Sequence, residues 1–343
     1  MRLLFRPARC FTMLLCCCST SDPQRNKHAG LGHSLVRESG AQEWPGGGES
    51  SRTPQGLLFR AHGTARATLL CFHGIQTHAA WFAPLARELA TSGINVIAMD
   101  RRGSGISTVA PFLKAYAAGP EELLSDMQRQ ATEAEKLGVP VYFLGTSWSS
   151  NLATVYTARG ITPRPQGVIL LVPATRSRFE TGPGTLLARV GSLFAPRLRI
   201  GLPFGDRHYQ AGSPQPTLSD QPSPRLGKPG KDEGLEPNKG LAQLLERDRI
   251  LGLLEDKPSF RLLDTGLRLA REARASPQKA DLRLLVILAN CDQIMDNSEA
   301  WQAALRNFTH LARREIAGAG HGIQITHARE VAAHISEWIT PVD

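Results

Sequence analysis

Five short stretches of nearly unbroken apolar residues, "ATLLCFHG", "INVIAMD", "VPVYFLG", "GVILLVPA" and "LRLLVILAN", punctuate this chain between residues 67 and 290. A strand with water on one face alternates apolar and polar residues, whereas a continuous run fits a strand buried on both faces, as parallel sheets require. Between the runs lie "WFAPLARELATSG", apolar at helical spacing and stopped by glycine, and "EELLSDMQRQATEAEKLG", in which Leu123, Met127, Ala131 and Ala134 share one face. The last helical pattern is "HAREVAAHISEWI". Strands that alternate with helices predict an α/β chain with a largely parallel central sheet covered on both faces. Ligands of such a sheet belong at the carboxyl ends of its strands.

A length of 343 residues admits one large α/β domain with an insertion, or two ordinary domains. The alternation breaks between about residues 176 and 259, where "LPFGDRHYQAGSPQPTLSDQPSPRLGKPGKDEGLEPNKG" supplies turn residues and charges with little periodicity. It is flanked by two helical patterns, "TGPGTLLARVGSLFA" and "GLAQLLERDRILGLLE", so the segment is expected to be a cap inserted into a domain spanning 55–343. Residues 1–54 are expected to lie outside that domain, and the polar, Gly-, Pro- and Ser-rich part from Ser19 reads as a flexible tether.

"MRLLFRPARCFTMLLCCCSTS" resembles a truncated signal peptide or an acylation site, although its apolar run is short even for a secretory segment; a start at Met13 or later is an equal reading. The expected location is cytoplasmic or membrane-associated.

The formal charge of +9 raises nucleic acid or an anionic surface as partners. The arginines, however, are scattered through "MRLLFRPAR", "TRSRF" and "RLLDTGLRLAREAR" in a pattern of solvated helix faces, so nucleic-acid binding is not expected and peripheral contact with a membrane surface is retained. Four of the six cysteines crowd the first eighteen residues, which is no disulfide framework, and no Cys/His spacing fits zinc. No metal is expected, and Cys71 reads as a small buried hydrophobe. The sequence carries no sign of oligomeric state.

Chemistry enters at "FLGTSWSSNLA". The strand "VPVYFLG" feeds a turn at Thr146, Ser147 and Trp148, and "SSNLATVYTA" then starts a helix. A serine on a strand–turn–helix corner is lifted clear of the sheet, with the helix N-terminus aimed at a developing oxyanion. Small residues two before and two after the serine prevent backbone collision. Gly145 meets the first requirement; Ser149 stands where glycine is usual. "CFHGIQTHAAWF" places His-Gly after a strand, so the N–H of Ile75 is expected to share an oxyanion with that of Trp148.

A nucleophilic serine needs a general base and a group to orient it. Asp292 follows the run "LRLLVILAN", with Asp296 as the competing acid, and His321 lies on the glycine-flanked loop "GAGHG". His73, His78, His310, His327 and His334 read as loop or surface residues. Arg176 and Arg178, just after "GVILLVPA", are candidates to meet an anionic head group, beside the equal reading of two exposed arginines.

In this order, the His-Gly loop, "DRRGSGIS", "GTSWS", "DQIMDN" and "GAGHG" resemble the α/β-hydrolase fold, and within it the serine aminopeptidase S33 or monoacylglycerol lipase-like group. The resemblance spans about 55 to 341. It implies hydrolysis of a carboxylic ester beneath a mobile cap, with lipid esters such as monoacylglycerols or lysophospholipids as substrates and no cofactor. An amidase, aminopeptidase or acyltransferase using the same acyl-enzyme stays open, as does a non-catalytic binding protein on a hydrolase fold.

Overall fold

Each apolar run forms a strand whose alternate residues enter two different cores. In β3 (Ala67–Phe72), Leu69 and Cys71 pack on one side of the sheet while Leu70 and Phe72 pack on the other. The first core is closed by α1 (Ala83–Thr91), through Leu85 and Leu89, and by α9 (Ala328–Ile339), through Val331 and Ile335. The second is closed by α2 (Pro120–Glu135), α3 (Ser149–Ala158), α6 (Phe260–Ala275) and α7 (Asn297–Asn307). Leu123, Met127, Ala131 and Ala134 of α2 are all buried there. Pro120 opens α2, and Glu121 and Glu122 in its first turn complement the helix dipole.

The computed structural model describes residues 36–44, 55–107, 113–176, 180, 182–201, 235–255, 257–275 and 280–339. Its sheet has eight strands in the order β1-β2-β4-β3-β5-β6-β7-β8. The remaining strands are β1 (Gln42–Trp44), β2 (Gly56–Phe59), β4 (Ile94–Met99), β5 (Val141–Thr146), β6 (Gly167–Leu171), β7 (Ala280–Ala289) and β8 (Phe308–Ile316). β2 runs antiparallel to β1 and β4, and every pairing from β4 to β8 is parallel. Chain reversals place the carboxyl ends of β3, β4, β5, β6 and β7 on one edge.

Part of the stretch expected to be a tether belongs to the sheet. Gln42–Trp44 adds an edge strand to β2, and the Trp44 indole N–H donates to Gln130 Oε1 at 2.9 Å. The polar strand satisfies the free edge of β2, and the tryptophan ties it to α2. The cysteine-rich start and residues 45–54, beyond Trp44, lie outside the described residues.

Between β6 and β7 the described residues form three helices, α4 (Gly182–Phe194), α5 (Leu235–Ile250) and α6, and the middle of the expected insertion, 202–234, lies outside the described residues. α5 has its own small core, in which Leu241 and Leu245 meet Trp81 from the loop after β3. α8 (Ile323–Thr326) follows the loop after β8. Among the described residues no helix is long and apolar enough to cross a membrane.

Candidate active site

β5 ends at Thr146 and α3 begins at Ser149, so the corner between them has two residues, Ser147 and Trp148. Ser147 takes φ of 53°, the left-handed region that a side chain occupies at a cost. Three bonds hold it there: its N–H donates to Leu171 O (2.9 Å), and its carbonyl accepts from Ser150 N–H (3.1 Å) and Ala174 N–H (3.0 Å). The corner closes only because Gly145 lacks a Cβ, which would sit 2.7 Å from Ser149 O and 2.8 Å from Ser150 Cα.

Ser149, the departure from glycine, fits without strain and adds a tie. Its hydroxyl accepts from Thr146 N–H at 3.0 Å and donates to the Phe72 carbonyl at the end of β3. The corner is thereby fastened to the strand that leads into the His-Gly loop.

His321, in the loop between β8 and α8, lies with Nε2 2.9 Å from Ser147 Oγ and Nδ1 2.7 Å from Asp292 Oδ2. Asp292 is fully buried, and its other oxygen accepts the N–H groups of Ile294 (2.7 Å) and Met295 (3.0 Å). One carboxylate oxygen is thus spent on holding its own loop, which leaves the second to orient the imidazole. Asp296, the competing acid, is instead the N-cap of α7 and accepts from Ser298 N–H and Glu299 N–H at 3.0 and 3.2 Å. Two acids four residues apart share one loop with different duties.

Ile75 and Trp148 both line the cavity that opens over Ser147 and His321. Among the described residues neither N–H is engaged in a backbone hydrogen bond. The cavity holds about 260 Å³ and is walled mainly by Leu187, Ala188, Ile200, Leu263, Leu267 and Ile294. Arg176 stands outside it, largely exposed, with Nη1 3.9 Å from Glu299; Arg178 lies outside the described residues.

Two histidines read as loop or surface residues are buried structural ties. His73 presents Nδ1–H to Gly74 O (2.7 Å), while Nε2 accepts the Arg101 N–H (2.9 Å). Burial, and then the Arg101 charge, hold His73 well below the usual imidazole value, so it is neutral. His78 meets Asp248 of α5 at 2.8 Å, and the same carboxylate oxygen accepts the Trp81 indole N–H. His334 is buried as well. Asp100, pushed up by burial, accepts from Ala79 and Ile106 N–H at 2.7 Å each and so anchors both loops. Only the position of Asp100 at a strand end could have flagged it.

The His73 geometry has a pH signature. A base held low in the fold preserves stability above its ordinary value near 6.5 and loses it as pH falls below that toward the folded value. Acids raised by burial, such as Asp100 and Asp126, act in the opposite sense, so the variant comparison isolates the histidine. The melting temperature is expected to drop less steeply between about pH 7 and pH 5 in His73→Gln than in wild type. Parallel curves in the two proteins would remove the neutral-imidazole account.

The match of residues 63–325, more than three quarters of the chain, is to the family described as serine aminopeptidase, S33. The chain belongs to that family. A curated relative is an uncharacterized abhydrolase domain-containing protein of Dictyostelium discoideum, 32% identical over 114 residues; the match covers 33% of this chain and 12% of that protein's length. Among solved structures, a soluble variant of the monoglyceride lipase of Saccharomyces cerevisiae, in complex with a substrate analog, is 16% identical with a TM-score of 0.65 over 83% of this chain and 91% of that one. The monoacylglycerol lipase of Paleococcus ferrophilus is 16% identical with a TM-score of 0.64 over 83% and 98%. A thermostable carboxyl esterase of Bacillus coagulans, in complex with glycerol, is 14% identical with a TM-score of 0.58 over 84% and 94%. At these identities the likeness gives the fold, which is that of the α/β hydrolases.

Proposed function

We propose that the chain is a serine hydrolase of carboxylic esters, and that its substrates are lipid-type esters such as monoacylglycerols or lysophospholipids. The observation that carries this reading is the unbroken hydrogen-bonded series from Ser147 Oγ through His321 to the buried Asp292. In the reaction His321 Nε2 takes the Ser147 proton as Oγ attacks the ester carbonyl. The oxyanion forms against the N–H groups of Ile75 and Trp148. As it collapses, His321 returns the proton to the leaving alcohol, and water then repeats the sequence on the acyl-enzyme. The charged imidazole is stabilised throughout by Asp292.

The apolar cavity supports an acyl chain as the group it holds. α4 and α5, in the β6–β7 connection, are the cap of this reading, with Leu187 and Ala188 of α4 lining the cavity while Leu193 and Phe194 are exposed. Such a helix suits a substrate taken from an aggregated lipid, with peripheral membrane contact.

Chain length tests the substrate class. Burial of each methylene is worth about 0.8 kcal/mol, so kcat/KM is expected to rise about fourfold per CH₂ along a series of glycerol monoesters until the cavity is full. Leu267→Trp, which narrows the wall, should move the optimum to shorter chains. Equal rates from acetyl to lauroyl esters would sink the lipid reading while leaving the serine chemistry standing.

A further inference from the structure

Directly behind the site lies a pair of buried opposite charges that the acyl-transfer sequence does not use. Arg101, two residues beyond β4, is 9% exposed, and Glu255, in the connection from α5 to α6, is 0% exposed. The Arg101 Nη2 donates to Ile75 O at 3.0 Å, and its guanidinium carbon stands 5.7 Å from the centre of the Trp148 ring system. One side chain therefore touches both residues whose N–H groups face the oxyanion. On its other side the Trp148 indole lies against α6 so closely that a Cβ on Gly266 would fall 2.1 Å from Nε1. The indole is held between a guanidinium and a bare helix backbone.

Glu255 reaches the same loop by two routes. Its N–H donates to Gln76 O, the carbonyl next along from Ile75, at 2.8 Å. Its carboxylate stands 3.7 Å from Lys114 Nζ and 3.8 Å from Arg199 Nη2, and its negative charge opposes the lowering of the Arg101 guanidinium by burial. Among the described residues, both Glu255 oxygens and the Nε and Nη1 of Arg101 lack hydrogen-bond partners. Opposite charges buried with unsatisfied atoms contribute little to stability alone, since apolar residues of similar volume commonly serve as well. Burial lowers the Arg101 guanidinium to about 10, still charged at neutral pH, and pushes Glu255 up.

We propose that Arg101 is a positioning residue that sets the Ile75 and Trp148 N–H groups as oxyanion donors, and that Glu255, carried by the β6–β7 connection, is the counter-charge that keeps it in place. The inference rests on the serine-hydrolase reading above. Its physical content is that the donors' aim depends on a planar cation lying on Trp148 and bonded to Ile75. A misaimed donor is felt in the transition state more than in substrate binding.

The test compares wild type with Arg101→Met, Arg101→Lys, Glu255→Gln and the double variant Arg101→Met/Glu255→Gln. Each is measured for kcat and KM on the best wild-type ester, for the rate of fluorophosphonate labelling at Ser147, and for melting temperature. Arg101→Met is expected to lose about 100-fold in kcat with KM within about threefold. Arg101→Lys keeps the charge without the planar fork, so it should recover melting temperature more than kcat. The double variant removes the buried carboxylate that Arg101→Met leaves facing Lys114 and Arg199 without its buried counter-charge, and its melting temperature should return toward wild type while kcat stays low. Should Arg101→Met not fold, Arg101→Lys and the double variant carry the comparison. Recovery of kcat together with melting temperature in the double variant, or a wild-type kcat in a folded Arg101 variant, would overturn the positioning role. A wild-type protein that is neither labelled at Ser147 nor active on esters removes the hydrolase reading and this one together. A labelled, active wild type with indifferent variants removes this one alone.

Discussion

Ser147→Ala is expected to abolish ester turnover and fluorophosphonate labelling, with a loss of at least about 10⁴-fold in kcat, while the melting temperature stays within a few degrees of wild type. The size of the loss follows from the chemistry: Oγ is the atom that becomes bonded to the acyl group, and no neighbouring side chain in the corner can stand in for it. The neutrality toward folding follows from the geometry. The backbone bonds that hold the corner run from Ser147 N–H and carbonyl, which alanine keeps, and among the described residues Oγ itself is bonded to His321 alone. Alanine at a φ of 53° is under much the same strain as serine. The measurement is turnover of a wild-type substrate by the variant, purified free of other esterases, with peptide mapping of the labelled wild type. Full activity in the variant, or an adduct on another residue, would end the assignment of Ser147.

The strands of the central sheet were legible because burial on both faces writes itself into sequence as an unbroken apolar run. β3, β4, β5, β6 and the carboxyl half of β7 all carry that mark. β8 does not. As the edge strand "FTHLARREI" it is only half-buried, and its basic residues find local partners, Arg313 over the Trp301 ring at 5.6 Å and Arg314 3.9 Å from Glu337. β1 hides for the same reason, three polar-edged residues in a Gly- and Ser-rich stretch, held by strand pairing and one indole bond. Edge strands draw on main-chain hydrogen bonds and tolerate almost any side chain, so the residue pattern carries little of their signal.

The site divides along a similar line. Ser147, Asp292 and His321, the proposed triad that the fold brings into one hydrogen-bonded series, could be picked out because each follows a strand, in a fixed order. Their supports could not. His73, Arg101, Asp248 and Glu255 matter through partners far off in sequence: Asp248 with His78 and Trp81, Glu255 with the Gln76 carbonyl. No local spacing encodes a pairing between the β3 loop and α5. A histidine in a glycine-rich loop reads as exposed until the fold shows what closes over it, and the two buried histidines after β3 are the case in point.

The two acids of "DQIMDN" offer the sharpest separation. Asp292→Asn is expected to lower kcat by about 10⁴-fold, with KM nearly unchanged. Oδ1 of Asp292 accepts two N–H groups, from Ile294 and Met295, so an amide in its place turns its own oxygen toward them and its NH₂ toward His321 Nδ1. An NH₂ can only donate, which forces Nδ1 to accept and puts the imidazole proton on Nε2. That nitrogen then has no lone pair for the Ser147 proton. The opposite rotamer would restore the tautomer but set an NH₂ against two buried N–H groups, a cost that falls on folding. Asp296→Asn should leave both kcat and melting temperature almost untouched, because asparagine caps a helix as well as aspartate does. Asp296→Ala should keep kcat within about twofold and lose about 1 kcal/mol of stability with the cap. Turnover and thermal melts of the three variants decide it: a larger kcat loss at Asp296 than at Asp292 would exchange their roles, and equal losses would mean that the loop, rather than one carboxylate, is what the imidazole needs.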